Sequence, residues 1–473
     1  MKKLFALSLG LLLAGAAFAP AAYSYEGFNG PLGVLTDNED IALKGYTLVS
    51  PQQAKKTYMI DMKGNVVMEW DSEYTGWTYV MLDPHNGNLL RHVIAPEGVD
   101  TTAPFGGQAG IIEEFDWTGK KIWEFKNYIP EKEISHHTFN VMPNGNIILL
   151  MWKHHTYEEA LAKGLNPDQF GRYILPNGIK SVSGKTLLGI WVDSVREIER
   201  GTGKTVWEWD VWDHIGTGPD QFDINAFCHM KGNKNMSGPD WTHCNGVSYN
   251  PRTNEVCFTS RNLAEVYVID YGKNEGIKMR WGNPANYGQG KAPAGYMDDG
   301  DQKLFGPHAP DWTADDTITI FDNGTNRPSG NYSRYVEISR DGKLVRDWKA
   351  GDSGTSNFNF YTPFQGGTQK LSNGNFIITC TDGGHIVEVT PDNKIAWEFI
   401  NPMGRENKVY SSTSDSGFTR QFAVHKAWRY AADSQELKGK DLSVKHPLMP
   451  EGTPDWLTLL KAGVDGPNPP AKK

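Results

Sequence analysis

Three histidines occupy the same place relative to a tight turn. Each lies seven residues before its turn residue, and the three pairs are His137 with Asn144, His243 with Asn250 and His308 with Asp315. An alternating apolar run, an Asn/Asp/Gly turn and a second apolar run surround each of them, which predicts a β-hairpin. Equal offsets from equivalent turns predict equal heights on equivalent strands. A single histidine is more often structural, but only 13 of 473 residues are histidine, so we expect these three imidazoles to converge on a site.

The hairpin geometry adds further candidates. A hairpin returns its far end to its starting point, so reflection of His243 through the turn near Arg252 reaches Arg261. Asn245 lies two residues beyond His243, and alternate residues of a strand face the same side. Three imidazoles, a guanidinium and an amide offer donors that suit a tetrahedral anion. A neutral imidazole is also a competent nucleophile, because histidine is largely unprotonated above about pH 6.5.

The same reasoning places three more residues near the histidines. Reflection from His308 through its turn reaches Asp322 and Asn323, and Tyr79 occupies the histidine position in another hairpin. We therefore expect Tyr79 and Asn323 to bind substrate.

A second repeat predicts the architecture. Six segments have a turn followed by a strand with an aromatic end, and these ends are Trp70, Phe125, Trp209, Trp281, Trp348 and Phe399. Hairpins lie between them, so each unit has four antiparallel strands, as in a propeller blade. The sequence therefore predicts an all-β, six-bladed β-propeller over residues 25–435, in which the repeated tryptophans pack between blades.

The first aromatic strand has no hairpin before it. Its partners should come from the C-terminus, around Phe418 to Tyr430, so that N- and C-terminal strands close the ring and leave no open edge. An insertion at about 153–188, with a short helix at EEALAKGL, and a segment from Asp213 to Trp241 are predicted loops. Residues 436–473 form a C-terminal extension.

The first 24 residues have the pattern of a secretory signal peptide, with Lys2 and Lys3 before an apolar run and small residues after it. Cleavage is predicted after Ala19 or Ser24, and the mature chain is expected in the periplasm with no membrane span. The net charge of −9 argues against a nucleic-acid partner.

Four cysteines are too few for a disulfide framework in a chain of this length. Cys257 and Cys380 lie in apolar strand patterns and are expected to be buried thiols. Cys228 and Cys244 could form a disulfide beside the site, and their spacing leaves both states open.

The histidine motifs resemble those of the bacterial arylsulfate sulfotransferases. The similar segments are HHTFNVMPNGN from His136, DWTHCNGVSYNP from Asp240, TSR ending at Arg261, GPHAPDW around His308 and SRYVEI from Ser333. The resemblance extends over nearly all of the mature chain. It implies an exported propeller enzyme, without cofactor or metal, that transfers a sulfuryl group from an aryl sulfate to a phenol and uses no nucleotide donor.

The resemblance also implies roles for individual residues. His308 is the residue that would carry the sulfuryl group, and the sulfuryl oxygens would be held by His243, Asn245 and Arg261. His137 would assist. His136 ranks second, as a substrate-binding residue, because on an extended strand it should point away from His137.

The chain departs from the family pattern in a few places. Cys244 and Gly246 stand where small hydroxyl residues are expected, and Thr138 stands where an acidic residue is common. These differences bear on the choice of acceptor. The propeller begins too early for the N-terminal β-domain that pairs subunits in some relatives, so the oligomeric state stays open.

Phenol rings could stack on the aromatic residues predicted at the mouth, which are Tyr79, Trp241, Trp312 and Phe321.

Three alternatives belong to other classes. Three converging histidines could hold zinc in a metal-dependent hydrolase, although Arg261 would repel a cation unless an anion intervened. TGKTVWEW resembles the blade motif of quinone-dependent dehydrogenases, but six repeats disfavour their eight blades. A non-catalytic propeller would bind an anion or a partner protein without forming product.

Overall fold

A computed structural model describes residues 32–75, 79–95, 106–166, 179–180, 186–187, 189–226, 240–404 and 422–449. The predicted signal peptide and Cys228 lie outside these residues. Cys257 and Cys380 are buried, as predicted. None of the helices in the described part of the chain has the length and apolar character needed to cross a bilayer.

The structure is built almost entirely from strands. In chain order these are β1 (Gly33–Asp37), β2 (Gly45–Val49), β3 (Lys56–Ile60), β4 (Asn65–Asp71), β5 (Tyr79–Leu82), β6 (Leu89–Ile94), β7 (Gly110–Phe115), β8 (Lys121–Lys126), β9 (Tyr128–Ile129), β10 (Glu133–Val141), β11 (Ile147–Thr156), β12 (Ile179–Lys180), β13 (Thr186–Leu187), β14 (Gly189–Ile198), β15 (Thr205–Asp210), β16 (Cys244–Asn250), β17 (Glu255–Ser260), β18 (Glu265–Asp270), β19 (Met279–Trp281), β20 (His308–Trp312), β21 (Thr317–Asp322), β22 (Arg334–Ser339), β23 (Leu344–Trp348), β24 (Gly367–Lys370), β25 (Phe376–Cys380), β26 (His385–Val389), β27 (Ile395–Ile400), β28 (Trp428–Ala431) and β29 (His446–Pro447). The described α-helix is α1 (Tyr157–Ala162), and the described 3₁₀ segments are Val211–His214, Pro284–Tyr287, Ala350–Ser353, Asn357–Asn359 and Gln435–Leu437.

The strands form six antiparallel sheets, which are the blades of a six-bladed β-propeller. Blade 2 is β5–β8, blade 4 is β16–β19 and blade 5 is β20–β23. Blade 3 has the order β15-β14-β11-β10-β9, and β12 pairs with β13 in a separate hairpin inside its insertion. The predicted fold is confirmed, with a fifth strand added to blades 1, 3 and 6.

Both ends of the described chain close the ring. In blade 1 the order is β28-β2-β3-β4-β29, so β28 supplies the missing inner strand and pairs with β2 from Gly45↔Ala431 to Leu48↔Trp428. In blade 6, β1 pairs with the outer strand β27. The C-terminal strand was predicted around Phe418 to Tyr430, of which residues 418–421 lie outside the described part. The expected C-terminal extension contributes β29, which pairs with Asn65 and Val66.

Arg429 links the two ends to the last blade. Its Nε donates to Thr47 Oγ1 at 2.8 Å, and its Nη1 donates to Leu43 O at 2.9 Å and lies 3.1 Å from Glu388 Oε2. The contacts with Thr47 and Glu388 are buried and the contact with Leu43 is partly buried, and a hydrogen bond that is shielded from water is strong relative to one at the surface. The closure therefore depends on a specific polar contact as well as on strand pairing.

Two of the repeated tryptophans join neighbouring blades. Trp70 donates its indole N–H to Asp116 O at 2.8 Å, and Trp209 donates to Glu275 O at 2.9 Å, each in the next blade. Trp397, two residues before the strand end Phe399, donates likewise to Met62 O at 2.9 Å. Trp348 is buried but donates to Ser353 Oγ, and Trp281 is partly buried. A buried tryptophan satisfies its N–H through such contacts, and at Trp70 and Trp209 the predicted packing between blades is confirmed.

The insertion in blade 3 begins with the short helix expected from its sequence. Thr156 caps α1: its hydroxyl accepts from Glu159 N at 3.2 Å, and its own N–H donates to Glu159 Oε2 at 2.7 Å. This is a capping box, which stabilises a helix start.

Candidate active site

His137 lies on β10 of blade 3, His308 begins β20 of blade 5 and His243 directly precedes β16 of blade 4, and all three are beside irregularities in strand pairing. The register shifts between His136 and Phe139, between Cys244 and Gly246, and between His308 and Asp311. Backbone φ is +51° at His137, +45° at His243 and +45° at Ala309. Bulges re-aim side chains and are common next to active sites, and positive φ is uncommon for residues other than glycine. The regular alternation of side chains between the two faces of a strand is therefore interrupted at the histidines.

The three imidazoles lie close together. The ring centroids of His137 and His243 are 4.9 Å apart, and those of His137 and His308 are 6.4 Å apart. All three residues are buried, with at most 9 % of their surface exposed. Burial disfavours the charged form of an imidazole, and it is the largest cause that holds the pKa of His137 and the pKa of His308 well below the usual value.

His308 is held in one tautomer. Its Nε2 accepts a hydrogen bond from the backbone N–H of Gln365 at 3.0 Å, so the ring proton resides on Nδ1. Nδ1 donates to Asn323 Oδ1 at 2.7 Å, with Gly306 O at 3.0 Å. Burial first, and the Arg261 charge second, hold the pKa of His308 well below its usual value. His308 is thus neutral, and its lone pair lies on Nε2.

Asn323 was expected to contact substrate, and in this structure it supports His308. Its Nδ2 donates to the carbonyls of Thr362 and Gln365, each at 2.8 Å. With both N–H groups used, the amide oxygen faces His308 and accepts its proton.

Asn245 also supports the His308 strand. Its Nδ2 donates to Pro307 O at 2.8 Å, and its Oδ1 accepts from Thr259 Oγ1 at 2.6 Å. It is fully buried and connects blade 4 to the residue preceding His308.

Arg261 lies beside the cluster, as the hairpin reflection predicts. Its backbone N–H donates to His243 O at 3.1 Å, and its guanidinium is stacked 5.0 Å from the ring centre of Phe364. Only 3 % of the residue is exposed. A buried guanidinium next to neutral imidazoles makes this region attractive to an anion.

His243 is oriented by an acid that sequence reasoning had not assigned a role. Its Nδ1 is hydrogen-bonded to Asp240 Oδ2, and the Asp240 backbone carbonyl accepts from Asn262 Nδ2 at 2.7 Å. A carboxylate on Nδ1 fixes the ring and leaves Nε2 for the site.

His136 differs from its expected orientation. Instead of pointing away from His137, its Nδ1 lies 2.8 Å from His137 Nδ1. The positive φ at His137 turns the two rings toward one another. The other nitrogen of His136 lies 3.0 Å from Asp193 Oδ1, and its ring stacks on Trp152 at 3.9 Å.

The aromatic residues proposed for substrate stacking have other contacts. Tyr79 lies edge-on to Phe139, His425 and Trp428, with centroid distances of 5.3, 5.9 and 6.3 Å. Trp241 and Phe321 are buried in blade cores, and Trp312 packs against the core that Cys257 and Ile318 share.

Two further histidines that sequence reasoning missed lie in the same region. His92 Nδ1 is 2.9 Å from His137 O, and its Nε2 is 2.9 Å from Ser135 Oγ. His425 is buried against Tyr79. Neither lies at the repeated offset from a turn, but His92 faces Tyr79 directly across the β5–β6 pair, and this pairing could have been deduced from the predicted hairpin.

Buried neutral histidines should make the protein sensitive to acid. Burial lowers the pKa of His92 to about 3 and that of His137 and His308 well below the usual value. In the unfolded chain each would titrate near 6.5. Below about pH 6.5 the unfolded chain therefore binds more protons than the folded one. The free energy of unfolding consequently decreases as the pH is lowered.

A His92→Gln variant should show a shallower loss of stability on acidification. Urea unfolding measured from pH 7 to about pH 4 should give a slope smaller by about 1.4 kcal/mol per pH unit than in the wild type, which corresponds to one proton. Carboxylate titrations are shared by both proteins and cancel in the difference. Equal slopes would contradict the neutral state of His92.

No three His, Cys, Asp or Glu side chains within the described ranges are arranged to hold one metal ion. The Nδ1 atoms of His137, His243 and His308 each face a hydrogen-bond partner within the protein. The Nε2 atom of His308 faces an N–H donor. This donor would have to move before Nε2 could act as a ligand.

Solved structures with a similar chain course share little sequence with this protein. They include a protein of unknown function from Bacteroides caccae, with 11 % identity, a TM-score of 0.43 and coverage of 81 % of this chain and 98 % of that one. A streptogramin B lyase structure has 12 % identity, a TM-score of 0.40 and coverage of 85 % and 94 %. A virginiamycin B lyase from Staphylococcus aureus, crystallised with quinupristin, has 11 % identity, a TM-score of 0.37 and coverage of 78 % and 87 %.

No curated protein sequence matches the chain. The family model described as arylsulfotransferase (ASST) matches residues 180–435. This match spans more than half of the 473 residues and includes His243, Asn245, Arg261, His308 and Asn323. The chain belongs to the arylsulfotransferase family.

Proposed function

We propose that this protein transfers a sulfuryl group from an aryl sulfate to a phenol through a covalent intermediate on His308. The observation that carries the proposal is the state of His308, which is neutral, fixed with its proton on Nδ1 and placed beside Arg261. A nucleophile must keep its lone pair, and an anionic substrate needs a cation nearby. His308 and Arg261 meet both requirements in one buried site.

In the first half-reaction, His308 Nε2 attacks sulfur and the bond from sulfur to the aryl oxygen breaks, so that a phenolate leaves and takes up a proton to become a phenol. In the second, the oxygen of an acceptor phenol attacks sulfur as it loses its proton, and the electron pair of the sulfur–nitrogen bond returns to Nε2. Sulfuryl transfer resembles phosphoryl transfer in spreading charge over three oxygens, so positioning and electrostatic stabilisation supply most of the rate. Arg261, His137 and His243 are the proposed stabilisers.

The Gln365 N–H donates to the lone pair of His308 Nε2. Attack on sulfur therefore requires this hydrogen bond to break, at a cost on the order of 1 kcal/mol. The amide can then serve as a donor to the bound sulfuryl group. Asn245 and Asn323 act by holding the His308 strand and the His308 ring.

We further propose that the mature protein acts in the periplasm, on the basis of the signal-peptide pattern in residues 1–24. An exported enzyme has no access to a cytoplasmic nucleotide donor, which agrees with direct transfer between small phenols.

The test is intact-protein mass spectrometry after mixing with 4-nitrophenyl sulfate in the absence of acceptor. The expected result is one added sulfuryl group per chain, lost when phenol is added, and mapped to His308 by peptide analysis. Release of 4-nitrophenol without an adduct would indicate hydrolysis by an activated water. Binding without release would indicate a non-catalytic propeller, and either result would refute the proposal.

A further inference from the structure

Three buried side chains form a continuous chain from the core of blade 3 to the site. Asp193 Oδ1 lies 3.0 Å from His136 Nε2, and His136 Nδ1 lies 2.8 Å from His137 Nδ1. The exposed fractions of Asp193, His136 and His137 are 1, 0 and 5 %. His137 in turn faces His243 and His308. An acid thus contacts the site through two imidazoles in series.

Two Nδ1 atoms at hydrogen-bond distance must share a proton, because one has to donate and the other has to accept. This allows two arrangements of the chain. In the neutral arrangement, His136 carries its proton on Nε2, which lies at an ion-pair distance of 3.0 Å from Asp193 Oδ1, and His137 donates from Nδ1 and keeps a lone pair on Nε2. In the charged arrangement, His136 is an imidazolium beside the Asp193 carboxylate, and His137 carries its proton on Nε2.

We infer that Asp193, His136 and His137 form a proton relay that protonates the leaving phenol and later deprotonates the acceptor phenol. This inference rests on the proposed sulfuryl transfer. His137 would contact the phenol oxygen, and Asp193 and His136 are positioning residues that determine whether His137 gives or takes a proton.

The relay balances the two half-reactions. In the first, His137 Nε2 gives its proton to the departing aryl oxygen, and the shared proton moves from His136 Nδ1 to His137 Nδ1. The relay is then neutral apart from the Asp193 carboxylate. In the second, the acceptor phenol gives its proton to His137 Nε2 as its oxygen attacks sulfur, and the shared proton returns to His136. One proton therefore leaves with the first phenol and one arrives with the second.

His136 gives the relay a place to hold the proton that His137 transfers. Burial, followed by the neighbouring histidines, lowers the pKa of His137 well below its usual value, so His137 by itself would hold a proton poorly. His136 lies next to a carboxylate that can stabilise an imidazolium. The proton can therefore be stored on His136 and delivered by His137.

Asp193 is fixed independently of the histidines. Its Oδ2 accepts from Thr242 Oγ1 and, at 3.0 Å, from the backbone N–H of Cys244. The His136 ring is held against Trp152, with an angle of 9° between their planes. Other titratable groups near the two imidazoles include His92, His243, His308 and His425, and Asp193 is the carboxylate in contact with His136.

The test compares two donors in the first half-reaction. Phenyl sulfate releases a phenol with a pKa near 10, which needs a proton as it leaves, whereas 4-nitrophenyl sulfate releases a far more acidic phenol. Asp193→Asn and His136→Gln should slow sulfuryl transfer from phenyl sulfate by about 100-fold, within the range of general acid catalysis, and should change transfer from 4-nitrophenyl sulfate by less than about threefold. Adduct formation is followed by rapid quench and mass spectrometry.

Thr242→Val is the matched control for the structural role of Asp193. It removes a hydroxyl from the same carboxylate but leaves the imidazole chain in place, so any loss of rate should be the same for both donors. Equal losses for the two donors in Asp193→Asn and His136→Gln, or no loss in either, would refute the relay. Failure of the wild type to form any adduct would refute the proposed function itself, which is a separate outcome.

Discussion

His308→Ala and His308→Gln should each lower turnover of 4-nitrophenyl sulfate with a phenol acceptor by about 10⁴-fold or more, since a nucleophile that forms the covalent intermediate has no substitute. Neither variant should acquire a sulfuryl group. Glutamine is the more informative change, because its amide can still meet the Asn323 oxygen and the Gln365 N–H. Alanine leaves both buried groups without their partner, at about 1–3 kcal/mol each.

His85→Ala is the control for this pair of variants. The His85 side chain is 43 % exposed and lies at the turn of the blade 2 hairpin, so its loss should leave both turnover and adduct formation unchanged. Thermal unfolding of each variant establishes that the propeller is intact. A folded His308→Gln protein that retained a tenth or more of wild-type turnover would rule out His308 as the nucleophile.

The fold could be predicted from the sequence because its repeats are strongly periodic. Six aromatic strand ends define six blades, and the absence of a hairpin before Trp70 indicates that the C-terminus must complete blade 1. The pairing of β1 with blade 6 and of β29 with blade 1 could not be predicted in the same way. GVLTD and HP are too short to show an alternating pattern, and tertiary contact decides where they pair.

The sequence also indicated which residues would approach one another, but not which atoms they would present. Turn offsets specify heights on strands, and the three histidines do come together. The ring centroid of His137 lies 4.9 Å from that of His243 and 6.4 Å from that of His308. The bulges then rotate individual side chains. For this reason His136 faces His137 in the structure, whereas an ideal strand would place the two on opposite faces.

Hydrogen-bond partners across blades were beyond sequence reasoning for a related reason. Asn245 was expected to hold a sulfuryl oxygen, but its amide N–H donates to Pro307 O of the next blade, and its amide oxygen accepts from Thr259 of its own blade. The alternation of side chains along a strand predicts which face of its own sheet a residue occupies, but it does not predict which residues of the neighbouring blade it contacts. Asp193 offered a detectable signal, since it interrupts the apolar run GIWVDSV in a strand that is buried on both faces, and buried carboxylates require partners.

Arg261→Met should lower kcat/KM for 4-nitrophenyl sulfate by about 10²–10³-fold, the usual effect of losing a donor that stabilises developing charge. It should also change the pH dependence. The Arg261 charge helps to hold the pKa of His308 down, so its removal lets that pKa rise, although burial still opposes protonation. Protonated His308 has no lone pair, and the loss of activity on acidification should therefore occur at a higher pH in Arg261→Met than in the wild type.

Arg261→Lys separates the two effects of the guanidinium. Lysine keeps the charge and should leave the acid limb of the pH profile in place, but a single ammonium cannot reproduce the planar contact with several oxygens, so kcat/KM should still fall. Arg252→Met is the matched control, because Arg252 lies at the other end of the same hairpin, 48 % exposed and 2.6 Å from Asp316; its loss should alter neither quantity. If Arg261→Met lost activity without any movement of the acid limb, Arg261 would bind the sulfate ester without acting on His308. Full activity in Arg261→Met would show that Arg261 does not contribute to the reaction. The imidazoles would then be the donors to the sulfuryl oxygens.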